Sequence, residues 1–135
     1  MALKTPIFIV NFKMYQESTE KNALALAKIC EKVAIKTGKS IVVCVSATDL
    51  EKISSKVKIP VFAQHIDGVS FGANTGHILP EAVLDSGAAG SLLNHSEDRY
   101  EYEALKKASQ RMKALGLIRV ICANTPEKAE KIALL

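Results

Sequence analysis

Five short apolar runs, each followed by a helical pattern or a helix start, divide this chain into repeated units. Runs rich in β-branched residues and without polar alternation are typical of strands buried on both faces of a parallel sheet. Parallel neighbours need a crossover segment between them, which is usually a helix. The pattern therefore predicts an α/β fold of about five βα units with parallel strands. The predicted strands are residues 7–10, 41–45, 60–63, 92–93 and 117–122.

Helical segments are predicted in the connections between these strands. Residues 17–36 repeat apolar side chains at helical spacing, and Gly38 follows as a stop. Ser96, Glu97 and Asp98 predict another helix start, because serine and acidic side chains are favoured at a helix N-terminus. His95 is therefore expected between the carboxyl end of a strand and the amino end of a helix. The other helices are predicted to end near residue 54, to span 80–86 and 97–115, and to begin at Thr125.

Two architectures fit this order of elements. One is an open five-stranded sheet of the flavodoxin kind, which is complete at this length. The other is the first part of a (β/α)₈ barrel, which needs eight strands and typically about 250 residues. The length of 135 residues favours the open sheet.

Composition excludes several classes of protein. A hydrophobic fraction of 48% with 24% charged residues indicates a folded domain. No apolar run approaches the roughly 20 residues of a membrane span, and the start lacks the pattern of a secretory signal. The net charge of +4 comes from lysines beside glutamates, and aromatics are only 5%, so we expect neither nucleic acid nor a membrane as partner.

Cysteine and glycine usage narrows the chemistry further. Cys30, Cys44 and Cys122 follow no pattern, which indicates reduced thiols and a cytoplasmic protein. The histidines show no metal-ligand spacing, and no glycine-rich nucleotide fingerprint follows a strand. We therefore expect no metal and no cofactor.

Polar side chains follow every predicted strand. In a parallel α/β fold the carboxyl ends of the strands lie on one face, where ligands bind. Lys13 is unusual there, because an ammonium near apolar walls needs an anionic partner, either a ligand or an internal carboxylate such as Glu97. His95 is open to a structural or a catalytic interpretation. The residues at these ends are Asn11, Lys13, Ser46, Gln64, His65, Asn94, His95 and Asn124.

Three segments carry a family resemblance. Residues 10–15 (VNFKMY) resemble the Asn-x-Lys-x signature that opens triosephosphate isomerases. Residues 63–67 and 72–78 resemble the family's third loop, in the form used by its shorter archaeal-type branch. Residues 64–78 are called the third loop here. Residues 93–99 are similar to the same branch. The motifs occur in the family's order along the whole chain. The resemblance implies a TIM barrel, of which residues 1–135 are the N-terminal part of a single domain through strand five.

The resemblance also implies roles for individual residues. Lys13 would be the catalytic cation that binds the substrate, and Asn11 would position Lys13 and the substrate. His95 would polarise the substrate carbonyl and move protons between its oxygens, with Glu97 as a supporting catalytic carboxylate. Thr75 in the third loop would reach into a neighbouring subunit, which implies a homo-oligomer, either a dimer or a tetramer.

The implied reaction interconverts D-glyceraldehyde 3-phosphate and dihydroxyacetone phosphate through an enediol(ate), in glycolysis and gluconeogenesis, without cofactor or metal. The family's general base, a glutamate after strand six, and its phosphate loops are not among these residues, so residues 1–135 alone are predicted to be inactive. One departure is Asp98, where the family has arginine, which leaves a structural ion pair in question.

The incomplete barrel leaves a second interpretation open. Exposed parallel strand edges invite association. The chain is therefore expected either to pair with a complementary C-terminal barrel fragment, or to be a non-catalytic half-barrel fragment that associates through its open sheet edges.

Overall fold

A computed structural model describes residues 3–135 and contains a single five-stranded sheet. The strands pair in the order in which they occur in the chain, and every pairing is parallel. The predicted five βα units are thus confirmed. The strands are β1 (Ile7–Asn11), β2 (Ser40–Val45), β3 (Val61–Ala63), β4 (Gly90–Leu93) and β5 (Ile118–Ile121).

The strand order distinguishes between the two predicted architectures. A flavodoxin-type sheet reverses its direction at a switch point, whereas this sheet runs from β1 to β5 without reversal. Because crossovers are right-handed, a sheet without reversal carries its helices on one face and curls. Val43, Val45 and Leu93 pack in the large core cluster on one side, while Val42 and Phe62 belong to a separate smaller cluster. The chain is an incomplete TIM barrel, and the open-sheet alternative is wrong.

Five helices connect and follow the strands. The first is capped at its C-terminus by Gly38, which adopts φ 66° and donates its N–H to the Ala34 carbonyl at 2.9 Å. The last is capped at its N-terminus by Thr125, whose hydroxyl accepts the Lys128 N–H at 3.3 Å. The helices are α1 (Glu20–Thr37), α2 (Leu50–Ser54), α3 (Pro80–Asp85), α4 (Tyr102–Ala114) and α5 (Pro126–Ala133), with short 3₁₀ turns at Gln16–Ser18 and Ala47–Asp49.

The start of α4 differs from the prediction. The helix begins at Tyr102 and not at Glu97, so no helix N-terminus lies directly after His95. Asn94 adopts φ 59°, and its side-chain oxygen accepts the Tyr100 N–H at 3.1 Å. The Asp98 N–H donates to the His95 carbonyl at 2.9 Å. Because these bonds satisfy the backbone in a turn, the serine and acidic residues that resemble a helix start lie in a loop.

Gly90 sets the contact between β4 and β5. A Cβ at this position would lie 2.2 Å from the Ile118 carbonyl oxygen, so any side chain forces the two strands apart. We expect Gly90→Ala to lower the free energy of unfolding by about 3 kcal/mol, as overpacking against a rigid neighbour does. Gly38→Ala, where a Cβ meets nothing within 4 Å but φ is positive, should cost about 1 kcal/mol. Urea unfolding of both variants measures the difference, and equal losses would contradict the close approach.

Candidate active site

Five of the eight polar residues at the strand ends line one cavity of about 970 Å³, whereas Asn94 and Asn124 line a smaller one of about 200 Å³ that His95 also lines. The lining of the larger cavity includes Asn11, Ser46, Gln64, His65 and His95, which confirms that the carboxyl ends of the strands meet at one face. Ser46 itself is engaged locally, because its hydroxyl contacts the Asp49 carboxylate at 3.1 Å. The pocket is formed by the loops that follow the first four strands.

Lys13 holds a carboxylate from another loop. Its Nζ lies 2.9 Å from the Glu97 Oε1, so the internal partner foreseen for this lysine is present. The hydrogen bond and charge of Glu97 raise the pKa of Lys13 above 10.5, and the hydrogen bond from Lys13 lowers the pKa of Glu97 below 4.5. Both groups are therefore charged throughout the neutral range. Because the two side chains are 34% and 58% exposed, the pair contributes little to stability and can exchange partners.

His95 presents one ring nitrogen to a backbone donor. Its Nδ1 accepts the Glu97 N–H at 3.2 Å, whereas the Glu97 Oε2 is farther away, at 3.6 Å. A nitrogen that accepts a hydrogen bond carries no proton, so this contact assigns the neutral tautomer with the proton on Nε2. The donor that meets the imidazole is thus a single backbone N–H in the turn, and not the predicted helix N-terminus.

Asn11 and Gln64 form a small network beside Lys13. The Asn11 Oδ1 accepts the Lys13 N–H at 3.0 Å and lies 3.3 Å from the Gln64 Nε2. The same Gln64 nitrogen donates to the Lys13 carbonyl at 3.0 Å. The sequence predicts that Gln64 lies at this face but assigns it no role. The available signal was a carboxamide directly after a buried strand, which needs partners for its N–H groups.

Asp98 has a partner within the chain. Its Oδ2 lies 2.9 Å from the His65 Nδ1, and the Asp67 Oδ1 lies 3.2 Å from the Nε2 of the same ring. The His65 ring also stacks on Tyr100 with 4.7 Å between centroids. The residue that departs from the family pattern therefore joins the third loop to the segment after His95. No local pattern in the sequence predicts this link.

Thr75 lies apart from this chain's cavity. It is exposed in a turn of the third loop, near Phe71, which is 77% exposed. Asp67 closes the base of the loop, because its backbone N–H and its carboxylate both bond to the backbone of Ile78, at 2.9 and 2.7 Å. The loop therefore has an exposed tip and a base closed by hydrogen bonds. The predicted role of Thr75 in a neighbouring subunit stays a prediction.

Other chemistry is limited within residues 3–135. This part of the chain contains no group of three or more His, Cys, Asp or Glu side chains arranged to hold a metal ion. It contains no helix that is both long and apolar enough to cross a bilayer. The thiols of Cys30, Cys44 and Cys122 are unpaired, and burial raises the pKa of Cys44 to about 12, so this thiol is a poor nucleophile.

Comparison with known proteins identifies the family. The sequence model of the triosephosphate isomerase family matches residues 6–133. This chain belongs to the triosephosphate isomerase family. The triosephosphate isomerase of Metallosphaera sedula is 48% identical over 133 residues, which are 98% of this chain and 58% of that protein. The triosephosphate isomerase of Methanobacterium bryantii is 48% identical over 132 residues, with the same coverage of each chain. The predicted resemblance to the archaeal-type branch is confirmed.

The fold comparison agrees with the barrel. A crystal structure of the triosephosphate isomerase of Bartonella henselae superposes with a TM-score of 0.75 at 23% identity, over 93% of this chain and 55% of that chain. At that identity the match supports the fold alone. The present chain spans about 58% of the length of its relatives from the two archaea.

Proposed function

We propose that residues 1–135 are the N-terminal part of a single TIM-barrel domain of a triosephosphate isomerase. The complete enzyme interconverts D-glyceraldehyde 3-phosphate and dihydroxyacetone phosphate through an enediol(ate), as a step of glycolysis and gluconeogenesis. The observation that carries the proposal is the joint placement of Lys13 and His95 through Glu97. The Glu97 carboxylate accepts a hydrogen bond from the Lys13 ammonium at 2.9 Å. The Glu97 backbone N–H donates to the His95 imidazole at 3.2 Å.

The reaction explains why these side chain types are needed. Removing a proton beside a carbonyl leaves negative charge on the carbonyl oxygen, which a cation and a hydrogen-bond donor stabilise. In this proposal Lys13 supplies the cation and Asn11 fixes its backbone. His95 donates from Nε2 to the carbonyl oxygen and then moves the proton between the two substrate oxygens. Glu97 is the catalytic carboxylate that holds Lys13 until substrate arrives and orients His95.

The general base must come from outside these residues. Three of the carboxylates that line the cavity already have partners, since Glu97 bonds Lys13 while Asp67 and Asp98 bond His65. The fourth, Glu101, is exposed and directly precedes α4. The resemblance places the base and the phosphate loops beyond strand five. We therefore expect residues 1–135 alone to be inactive.

Complementation tests the proposal. Residues 1–135 are mixed or co-expressed with the remaining C-terminal portion of the Metallosphaera sedula relative, and turnover of glyceraldehyde 3-phosphate is measured. We expect turnover from the mixture and none from either part, because the mixture alone contains cation, electrophile and base. A matched mixture with Lys13→Ala should turn over about 10²–10³-fold more slowly, because it lacks the cation. Turnover by residues 1–135 alone, or an associated mixture without turnover, would overturn the proposal.

The proposed partners are the phosphorylated triose and further copies of the enzyme. The exposed tip of the third loop, with Thr75 and Phe71, supports a homo-oligomer, a dimer or a tetramer, in which this tip enters a neighbouring subunit. The three unpaired cysteines support a cytoplasmic location.

A second candidate is a non-catalytic half-barrel fragment that associates through its sheet edges. It is favoured by β1, an edge strand of the described sheet, on which Phe8 is 55% and Ile9 41% exposed. Such an edge offers unpaired backbone groups beside apolar side chains. Sedimentation of residues 1–135 with and without the complementary portion separates the candidates. A homogeneous self-associated species that does not bind the complementary portion would favour the non-catalytic half-barrel fragment.

A further inference from the structure

The backbone of Lys13 has an unusual conformation. Its φ is 51°, in the left-handed region that residues other than glycine rarely adopt. Such a conformation persists only when its surroundings determine it. Here two side chains bind the peptide groups of Lys13. The N–H donates to the Asn11 Oδ1 at 3.0 Å, and the carbonyl accepts from the Gln64 Nε2 at 3.0 Å.

Gln64 ties three strand ends together. Besides the Lys13 carbonyl, its Nε2 lies 3.3 Å from the Asn11 Oδ1 and 3.3 Å from the Cys44 carbonyl. A carboxamide nitrogen has two hydrogens, so it shares them among these three oxygens. Cys44 is fully buried in β2, and Gln64 directly follows β3. The amide is thus anchored to the sheet and reaches across it to the loop that carries Lys13.

The direction of the Lys13 side chain depends on this backbone. The left-handed conformation sends the ammonium towards Glu97, where Nζ lies 2.9 Å from Oε1. A different φ would change the direction of the Cα–Cβ bond from which the lysine side chain starts. We propose that Gln64 is a positioning residue, which holds the left-handed backbone of Lys13 and thereby places its ammonium at the substrate site. Its consequence for turnover rests on the proposed isomerase function.

The chemistry of the three partners gives the proposal a sharp test. All three are oxygen acceptors, so the position requires a donor. Gln64→Met keeps the length of the side chain and removes the donor. Gln64→Glu keeps the shape and places a carboxylate oxygen against three oxygens. A matched control is Gln110→Met, because Gln110 is exposed on α4.

The first measurement is structural and does not depend on activity. In crystals of the Gln64→Met and Gln64→Glu chains, we expect Lys13 to leave the left-handed region and its ammonium to separate from Glu97. The Gln110→Met control should retain the φ of 51° and the 2.9 Å contact. A variant that keeps both features would overturn the proposal. Variants that fail to fold would also overturn it, because Gln64 would then be required for the fold as a whole.

The second measurement distinguishes positioning of Lys13 by Gln64 from a general contribution of Gln64 to the fold. In the complemented isomerase, Gln64→Met should lower kcat/KM by about tenfold to hundredfold, as small misplacements of catalytic groups do. In a Lys13→Ala background the same change should have almost no further effect, because the two residues act as one unit. An equal loss in both backgrounds would overturn the positioning role. If the unmodified mixture has no turnover, the isomerase proposal fails, and the crystal structures still decide the role of Gln64.

Discussion

Lys13→Ala should lower kcat/KM of the complemented isomerase by about 10²–10³-fold, the loss typical of removing one preorganised group that stabilises developing charge. The ammonium is already held near the site before substrate binds, at 2.9 Å from Glu97, and needs only to exchange this exposed partner for the substrate. Alanine leaves the site without a cation. Initial rates across a range of glyceraldehyde 3-phosphate concentrations measure the effect.

Two controls separate this loss from unfolding. Urea unfolding of Lys13→Ala should show a change of less than about 1 kcal/mol, because exposed ion pairs contribute that little. Lys21→Ala, at an exposed position near the start of α1, should leave the rates unchanged. Rates for Lys13→Ala close to those of the unmodified enzyme would remove Lys13 from the mechanism.

His95→Gln should reduce kcat by about 10²–10⁴-fold, the range for loss of a positioned acid–base group. Glutamine still offers an N–H to a carbonyl oxygen, but it cannot take a proton from one substrate oxygen and deliver it to the other. In the proposed mechanism, the neutral tautomer assigned by the Glu97 N–H allows the imidazole to perform both steps. The measurement is kcat at saturating substrate.

His77→Gln provides the comparison for that result. His77 is 52% exposed and contacts Asp67 of the same loop at 3.3 Å, so its replacement should change kcat by no more than about twofold. Equal losses in the two histidine variants would show that the effect is not specific to the position of His95.

The sequence predicted the strands well because their signal is local. Uninterrupted apolar runs such as residues 41–45 form buried strands wherever parallel neighbours cover them. Placement of the site followed from the same information. Residues that directly follow such runs, including Asn11 and His95, must lie at one face once the strands are parallel.

What the sequence missed depends on contacts between distant segments. Ser96 and its acidic neighbours predict that α4 starts at Glu97, yet the Asn94 side chain accepts the Tyr100 N–H and keeps this segment in a turn. The bond from Gln64 to Lys13 joins two loops, and no local pattern encodes it.

The contact between His65 and Asp98 has a consequence for exchanging segments among related barrels. One imidazole lies between Asp67 of the third loop and Asp98 of the following active-site loop. The two loops are therefore a matched set. A chimera whose third loop lacks a histidine at position 65 would lose the bridge to Asp98. Grafts into this scaffold should transfer residues 65 and 98 together.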